Sequence, residues 1–259
     1  MNFYSVFPFI SSLLLLSLGT FVYSKNKGKT LNKIFFLLCL VSFIWLFFYS
    51  FAYTRTDDRA AFLLFKIGYC GVIFIAITVF HFTVELLRMK AKIVKIAVAF
   101  AYLMGFTWIT LIWSSLNLIK GVRKFFWGYY PQASYLHPLF LALFLSLVGT
   151  SVTLLLYFWV FKNKRKATIE NGRIKYMLLA FFIYNFASID FLPNYGLEIY
   201  PFGFIPTTLF FIIIAYTIVR YRLMDIKVAL TRAGIFVIVY TLVLGIPFIV
   251  GGIIKPHIA

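Results

Sequence analysis

IFFLLCLVSFIWLFFYSFAY, residues 34–53, carries no charged side chain and matches the length of about 20 apolar residues that a helix needs to cross a bilayer. Because the bilayer core offers no water to unpaired backbone groups, and the alternation of a β-barrel is missing, such segments are predicted to be helices. The sequence has eight of them: 3–23, 34–53, 61–85, 96–113, 136–161, 176–192, 202–219 and 235–254. An all-α, polytopic integral membrane bundle is therefore predicted, with about seven transmembrane helices and an eighth hydrophobic segment.

Composition and charge agree with a membrane protein. Hydrophobic residues make up 63% of the 259 positions and charged residues 12%, whereas about a quarter of a soluble domain is charged. The net charge of +18 would suggest nucleic-acid binding in a soluble protein. Here 18 of the 25 lysines and arginines lie in four alternate connections, 24–33, 86–95, 162–175 and 219–234. The positive-inside rule then predicts a multi-pass protein of the cytoplasmic (inner) membrane with its N-terminus outside, and argues against nucleic acid as a partner.

The last of these basic connections divides the chain into three parts. Residues 1–219 are predicted to form the seven-helix bundle, 220–232 a cytoplasmic connector, and 233–259 a further membrane helix or the first half of a membrane hairpin. Cationic side chains here can reach the headgroups of anionic lipids. The connector is either a stop signal for the seventh span or a joint that carries a signal inward. Its candidate residues are Arg220, Arg222, Asp225, Lys227 and Arg232.

Catalytic and cofactor chemistry find no support in the sequence. A GxSxG elbow and a P-loop are missing. His81 and His137 are predicted at opposite ends of their spans, roughly 30 Å apart in depth, too far to share a haem. His81 and Glu85 share a helix face, but the sequence offers no third metal ligand nearby. We expect neither a catalytic residue nor a metal or cofactor in this chain.

Ionisable residues inside the membrane are costly and therefore point to a partner or a cavity. Lys66 in the third span and Asp190 in the sixth are predicted at similar depth near the outer ends, where they could form a buried ion pair. Asn185 extends the polar patch along the sixth span. The patch can be structural or can contact a ligand, and both interpretations stay open because buried charges need pairing in either case.

The longest outer connection, SSLNLIKGVRKFFWGYYPQASY at 114–135, mixes cations with aromatic residues. It can form an aromatic belt at the headgroups, the simpler interpretation, or a lid over an outward-facing pocket, with aromatics for an apolar ligand and cations for an acidic one. Together with the intramembrane polar residues it gives seven candidate ligand contacts: Lys66, Tyr69, Trp127, Tyr130, His137, Asn185 and Asp190.

Several short motifs resemble one known family, the N-terminal seven-transmembrane sensor region of bacterial histidine kinases. The most specific is RYRLMDI, preceded by Ala215-Tyr216 and Val219; weaker matches are DFLP at 190–193 with Gly196, YPFG at 200–203, WGYYP at 127–131 and HPLF at 137–140. The chain holds neither a phosphoacceptor-histidine helix nor a Gly-rich ATP-binding region.

The resemblance implies a receptor module of a two-component sensor kinase that relays an extracytoplasmic or intramembrane signal, from an unknown small or apolar ligand, to a kinase region beyond this chain. By analogy with kinases that act in pairs, it also implies a homodimer. The alternative is a small-solute transporter or channel-like protein whose path uses Lys66, Asn185 and Asp190. Transporters often have internal repeats with broken helices at matching positions, and none is seen here.

Overall fold

The computed structural model describes residues 2–114, 118–162 and 168–220. In these ranges the chain forms seven α-helices: α1 (Phe3–Lys25), α2 (Thr30–Ala52), α3 (Asp58–Leu86), α4 (Lys92–Trp113), α5 (His137–Tyr157), α6 (Thr168–Asn185) and α7 (Phe204–Arg220). Six helical segments of the described chain are long and apolar enough to cross a membrane, and α7 is a shorter apolar helix. The predicted helical bundle is thereby confirmed for seven helices. The connector beyond Arg220 and the eighth segment, 235–254, lie outside the described residues.

Helices α2 and α3 approach each other closely at two glycines of α3. A Cβ atom at Gly71 would meet the Val41 carbonyl oxygen and the Trp45 backbone nitrogen of α2, and one at Gly68 would lie 2.7 Å from the Tyr49 ring. Glycine at these points lets the two backbones come together, which favours van der Waals packing in a membrane, where lipid is as apolar as the side chains. This packed pair, joined by α1, forms the larger part of the buried core.

Helix α4 lies at the periphery of the bundle. Its large side chains are exposed, including Ile93, Phe100 and Phe106, which are 72%, 61% and 60% exposed. Apolar side chains without protein contacts are the expected surface of a helix that faces lipid. The functional residues are therefore to be sought on the other helices.

The sixth predicted span, 176–192, is not one continuous α-helix. Helix α6 ends at Asn185 and the chain continues as two 3₁₀ segments, Phe186–Phe191 and Pro193–Tyr195. Pro193 lacks a backbone donor and Gly196 adopts a left-handed conformation with φ of 94°, so an α-helix cannot continue through this region. The break turns the polar side chains of the turn toward the bundle interior.

The connection predicted as loop 114–135 contains a β-hairpin, which corrects the expectation of a purely helical chain. Strand β1 (Ile119–Phe125) pairs antiparallel with β2 (Gly128–Ala133), and Phe125 faces Gly128 at the turn. Gly128 has φ of 132°, and a Cβ atom there would collide with the Tyr53 carbonyl. Only glycine adopts this conformation without strain. The consecutive aromatic residues around the turn hide the strand alternation in the sequence.

The hairpin, the N-terminus and the α2–α3 connection share one end of the bundle. The Asn2 side-chain amide donates hydrogen bonds to the carbonyls of Tyr53, at 3.1 Å, and Trp127, at 2.8 Å. The Tyr200 hydroxyl, between α6 and α7, donates to the Tyr4 carbonyl at 2.8 Å. Segments that the sequence predicts on the non-cytoplasmic side therefore lie together.

Candidate functional site

A cavity lies next to the hairpin, between α2, α3, α5 and the 3₁₀ segments, and holds about 40 Å³ of water-accessible space. One water molecule needs about 10–15 Å³ on this measure, so the enclosed part accommodates a few waters or one small group. Aromatic rings dominate the lining, and the polar side chains converge from the end of α6. The lining residues are Trp45, Tyr49, Tyr69, Val72, Ile75, Tyr130, Phe144, Leu145, Val148, Tyr184, Asn185, Ala187, Ser188, Asp190, Phe191 and Asn194.

Asp190 connects the cavity to the first turn of α7. Its side chain lines the cavity and is 8% exposed, and its Oδ1 atom accepts a 2.6 Å hydrogen bond from the Gly203 backbone N–H. A Cβ atom at Gly203 would lie 2.5 Å from the carboxylate, so the close approach requires glycine at this position. Because α7 begins at Phe204, the carboxylate lies at the positive end of the helix dipole, where a negative charge is stabilised.

Tyr130 of the hairpin binds the backbone of Asp190. Its hydroxyl donates a 2.6 Å hydrogen bond to the Asp190 carbonyl oxygen. Burial, with a smaller contribution from Tyr53 and Asp190, raises the pKa of Tyr130 well above its ordinary value, so the hydroxyl stays protonated and remains a donor. The hairpin is in this way attached to the turn that carries Asp190.

His137 is the centre of a second polar cluster at the beginning of α5. It is fully buried. Its Nε2 atom lies 2.9 Å from the Tyr69 hydroxyl and 3.3 Å from Asn194 Nδ2, and its Nδ1 atom lies 2.8 Å from the Tyr195 hydroxyl. Nε2 thus faces Tyr69 and Asn194 while Nδ1 faces Tyr195, so that both ring nitrogens have hydrogen-bond partners. The cluster joins α3, α5 and the second 3₁₀ segment.

Asn194 carries a hydrogen-bond acceptor that no described residue uses. Its Nδ2 atom donates to Tyr69 at 2.7 Å as well as to His137, while its buried Oδ1 atom has no hydrogen-bond partner among residues 2–114, 118–162 and 168–220. A buried polar atom without a partner costs about 1–3 kcal/mol. Such an atom next to a cavity is where a ligand or a water would be stabilised.

Lys66 and Trp127 lie outside the cavity lining. The Lys66 ammonium is placed over the rings of Phe62 and Trp113, 4.9 and 5.6 Å from their centroids, whereas Asp190 contacts Gly203. The contacts described for Lys66 and Asp190 are thus with different partners, and their predicted ion pair stays a prediction. Trp127 is fully buried and stacks on Phe125 at 4.5 Å, so it supports the hairpin.

The burial of Trp127 and Tyr130 also corrects the aromatic-belt interpretation for these two residues. Both point into protein rather than toward headgroups, being 0% and 1% exposed, because the hairpin folds over the bundle. Phe126 at the turn is 61% exposed and is the kind of residue that a belt requires. The lid interpretation agrees better with this geometry, although the cations of the hairpin are not in the cavity lining.

Four of the seven predicted ligand contacts line one cavity: Tyr69, Tyr130, Asn185 and Asp190. His137 does not line the cavity, but it is hydrogen-bonded to Tyr69, which does. Sequence reasoning missed Asn194 and Gly203. Asn185 was chosen because it is a polar residue in an apolar segment, and Asn194, beside Pro193, could have been found in the same way. Within the described ranges no group of three or more metal-ligating side chains is found. Of the predicted connector, Arg222, Asp225, Lys227 and Arg232 lie outside the described residues, and Arg220 ends α7.

Six apolar helical segments long enough to cross a membrane, and a shorter apolar helix beside them, define a multi-pass membrane protein. The family model described as the N-terminal 7TM region of histidine kinase matches residues 7–227. The chain belongs to this family, which is the sensor region of histidine kinases. A comparison with curated proteins finds no match.

Proposed function

We propose that residues 1–259 form the signal-sensing module of a two-component histidine kinase, with the cavity as its ligand site and a cytoplasmic kinase region in the parent protein as its output. One observation carries the proposal. The Asp190 carboxylate both lines the cavity and holds the N–H of Gly203 at the start of α7. A ligand that contacts this carboxylate acts directly on the beginning of the helix that leads to the connector.

Helix α7 is placed to transmit such a change along the bundle. It packs against α1, where the hydroxyl oxygens of Thr208 and Ser11 lie 3.2 Å apart and Phe204 stacks on Phe7 at 5.9 Å. It also packs against α6, with Phe181 and Phe210 in contact at 5.4 Å. The proposed mechanism is that occupancy of the cavity favours one of two packings of α7, and residues 220–232 carry the difference inward.

The orientation and partners of the module are part of the same proposal. The basic connections face the cytoplasm and the hairpin end faces outward, as the distribution of lysine and arginine supports. The module resides in the inner membrane, with Arg222 and Lys227 of the connector against anionic headgroups. It acts as a homodimer, since the kinase regions of such proteins act in pairs.

Autophosphorylation of the full-length parent kinase in proteoliposomes tests this function. We expect Asp190→Asn to change the basal rate at least threefold, because the amide keeps the shape but alters the group that binds the Gly203 N–H at the start of α7. Asp58→Asn is the matched control: Asp58 is exposed in the first turn of α3, and its substitution should leave the rate unchanged. Unaltered kinase output in Asp190→Asn, together with altered uptake of a solute into the same vesicles, would support the transporter instead.

A further inference from the structure

We propose that the cavity binds the ammonium group of an organic amine, held by Asp190 and Asn194 and surrounded by tyrosine rings. This names the ligand class of the proposed sensor and rests on that function. The sequence alone allowed an acidic ligand, because Lys120, Arg123 and Lys124 occur in the hairpin. The structure keeps these cations out of the lining and puts a carboxylate there.

The charge of the lining favours a cation. Asp190 is the only aspartate or glutamate among the lining residues, and no lysine, arginine or histidine is among them within the described part of the chain. An anionic ligand would be buried in a poorly solvated site whose lining offers no cation to pair with it, an arrangement that costs several kcal/mol. An ammonium group supplies the missing opposite charge.

Aromatic rings supply the second interaction. Four tyrosines and one tryptophan line the cavity: Tyr49, Tyr69, Tyr130, Tyr184 and Trp45. The rings of Tyr49 and Tyr130 meet edge to face with centroids 5.8 Å apart, and those of Tyr49 and Tyr69 lie 6.3 Å apart. Ring faces attract ammonium groups by about 0.5–2 kcal/mol each, more when water is excluded.

Asn194 supplies an acceptor that is already desolvated. Both of its amide protons have partners in Tyr69 and His137, and the buried Oδ1 atom has none in the described chain. An ammonium group has several N–H donors. One of them can satisfy Oδ1 and another the Asp190 carboxylate, so that binding removes an existing cost.

The exposed part of the cavity lining belongs to α5, the end of α6 and the first 3₁₀ segment. Leu145, Asn185 and Ser188 line the cavity and are exposed. Leu145 lies eight residues into α5, about 12 Å along the helix axis from His137. Because α5 is long and apolar enough to cross a membrane, we place Leu145 at membrane depth. The enclosed space holds only a small group, so the ligand is either a small soluble amine or an amphiphile whose ammonium head enters while its chain stays in lipid. Both share the ammonium chemistry.

Binding to the chain in micelles of dodecyl maltoside, a nonionic detergent without an ammonium group, tests this inference. Methylammonium chloride and dodecylammonium chloride are titrated, and binding is followed by calorimetry and by tryptophan fluorescence, to which Trp45 of the cavity lining contributes. Sodium chloride and dodecanol are the matched probes that lack the ammonium group. We expect saturable binding of at least one amine, at least tenfold weaker in Asp190→Asn and unchanged in Asp58→Asn.

A second substitution at the opening covers the case that Asp190→Asn does not fold. Ser188→Arg places a cation at an exposed position of the cavity lining, where it repels an ammonium group, and should abolish amine binding. Ser188→Gln also adds a longer polar side chain but no charge, and it should retain binding. Binding of dodecylammonium alone would identify a membrane amphiphile, and binding of methylammonium a soluble amine. Equal affinity for dodecanol, or no saturable binding of either amine, would overturn the inference.

These outcomes are separable from the sensor function. Binding is measured without a kinase region. If amines bind but Asp190→Asn leaves the autophosphorylation rate of the parent kinase unchanged, only the sensor proposal is contradicted. A kinase that responds to Asp190→Asn while neither amine binds would contradict the amine alone.

Discussion

Tyr130 of the hairpin donates a 2.6 Å hydrogen bond to the backbone carbonyl of Asp190, at the end of the sixth span. The carboxylate of the same aspartate accepts the N–H of Gly203 at the start of α7. The hairpin, the cavity and the last described helix are therefore connected through a single residue. Several measurable consequences arise from this arrangement.

Removal of the Tyr130 hydroxyl should lower the stability of the bundle. Tyr130→Phe leaves the buried Asp190 carbonyl without its partner, and we expect the free energy of unfolding to fall by about 1–3 kcal/mol. Titration with sodium dodecyl sulfate in mixed micelles measures it. Tyr129→Phe is the control, since the Tyr129 hydroxyl donates to Thr56 at an exposed position. Equal effects of the two substitutions would contradict the special role of Tyr130.

A methyl group at Gly203 should displace the Asp190 carboxylate. In Gly203→Ala the new Cβ atom would lie 2.5 Å from the carboxylate, so either Asp190 or the start of α7 must move. We expect destabilisation of about 1–3 kcal/mol and a changed autophosphorylation rate in the parent kinase. Gly149→Ala in α5 is the control, because nothing lies within 4 Å of its Cβ position. There alanine should be neutral or stabilising by up to about 1 kcal/mol.

Loss of the His137 ring should disrupt the second polar cluster. His137→Phe keeps a ring of similar size but leaves Tyr69, Asn194 and Tyr195 without the partner at the centre. We expect a loss of about 2–4 kcal/mol in the free energy of unfolding, since several buried groups lose a partner. His81→Phe, which removes one contact to Tyr102 from a partly buried site, should cost less. A larger effect at His81 would count against this account of the cluster.

Alkaline pH should destabilise the hairpin end. Burial raises the pKa of Tyr130 and Tyr200, which lie outside the membrane spans. Above about pH 10, the ordinary tyrosine value, the unfolded chain loses protons that the folded chain retains. Stability therefore falls as pH rises and is unaffected by these groups below that pH.

Tyr200→Phe tests this pH dependence. It should reduce the slope of the free energy of unfolding above pH 10 by about 1.4 kcal/mol per pH unit, measured by detergent unfolding between about pH 8 and 11. Tyr135→Phe, at a 69% exposed position, is the matched control. An unchanged slope in Tyr200→Phe would contradict the assignment.

Labelling of single cysteines should reveal the orientation of the module. A membrane-impermeant maleimide added to whole cells should react with Lys120→Cys in the hairpin and not with Lys27→Cys in the α1–α2 connection. The unsubstituted chain reports the background from Cys39, which is buried, and Cys70, which is partly buried. Labelling of Lys27→Cys alone would reverse the proposed topology and with it the direction of the signal.

The sequence by itself determined the membrane bundle. A stretch such as 34–53 has no alternative to a helix in a bilayer, because only internal hydrogen bonds can satisfy its backbone. The charges of the connections likewise predicted which segments share one end, and the hydrogen bonds of Asn2 bring these segments together. The motifs around Asp190 and RYRLMDI predicted the family that the match over 7–227 confirms.

The partner of each polar side chain was decided only by the tertiary structure. Similar depth suggested that Lys66 pairs with Asp190, but depth says nothing about the rotation of a helix, and rotation places Lys66 over Phe62 and Trp113. The hairpin that buries Trp127 depends on a left-handed Gly128 against the Tyr53 carbonyl. These contacts join residues far apart in sequence, and helix packing, not local pattern, brings them together.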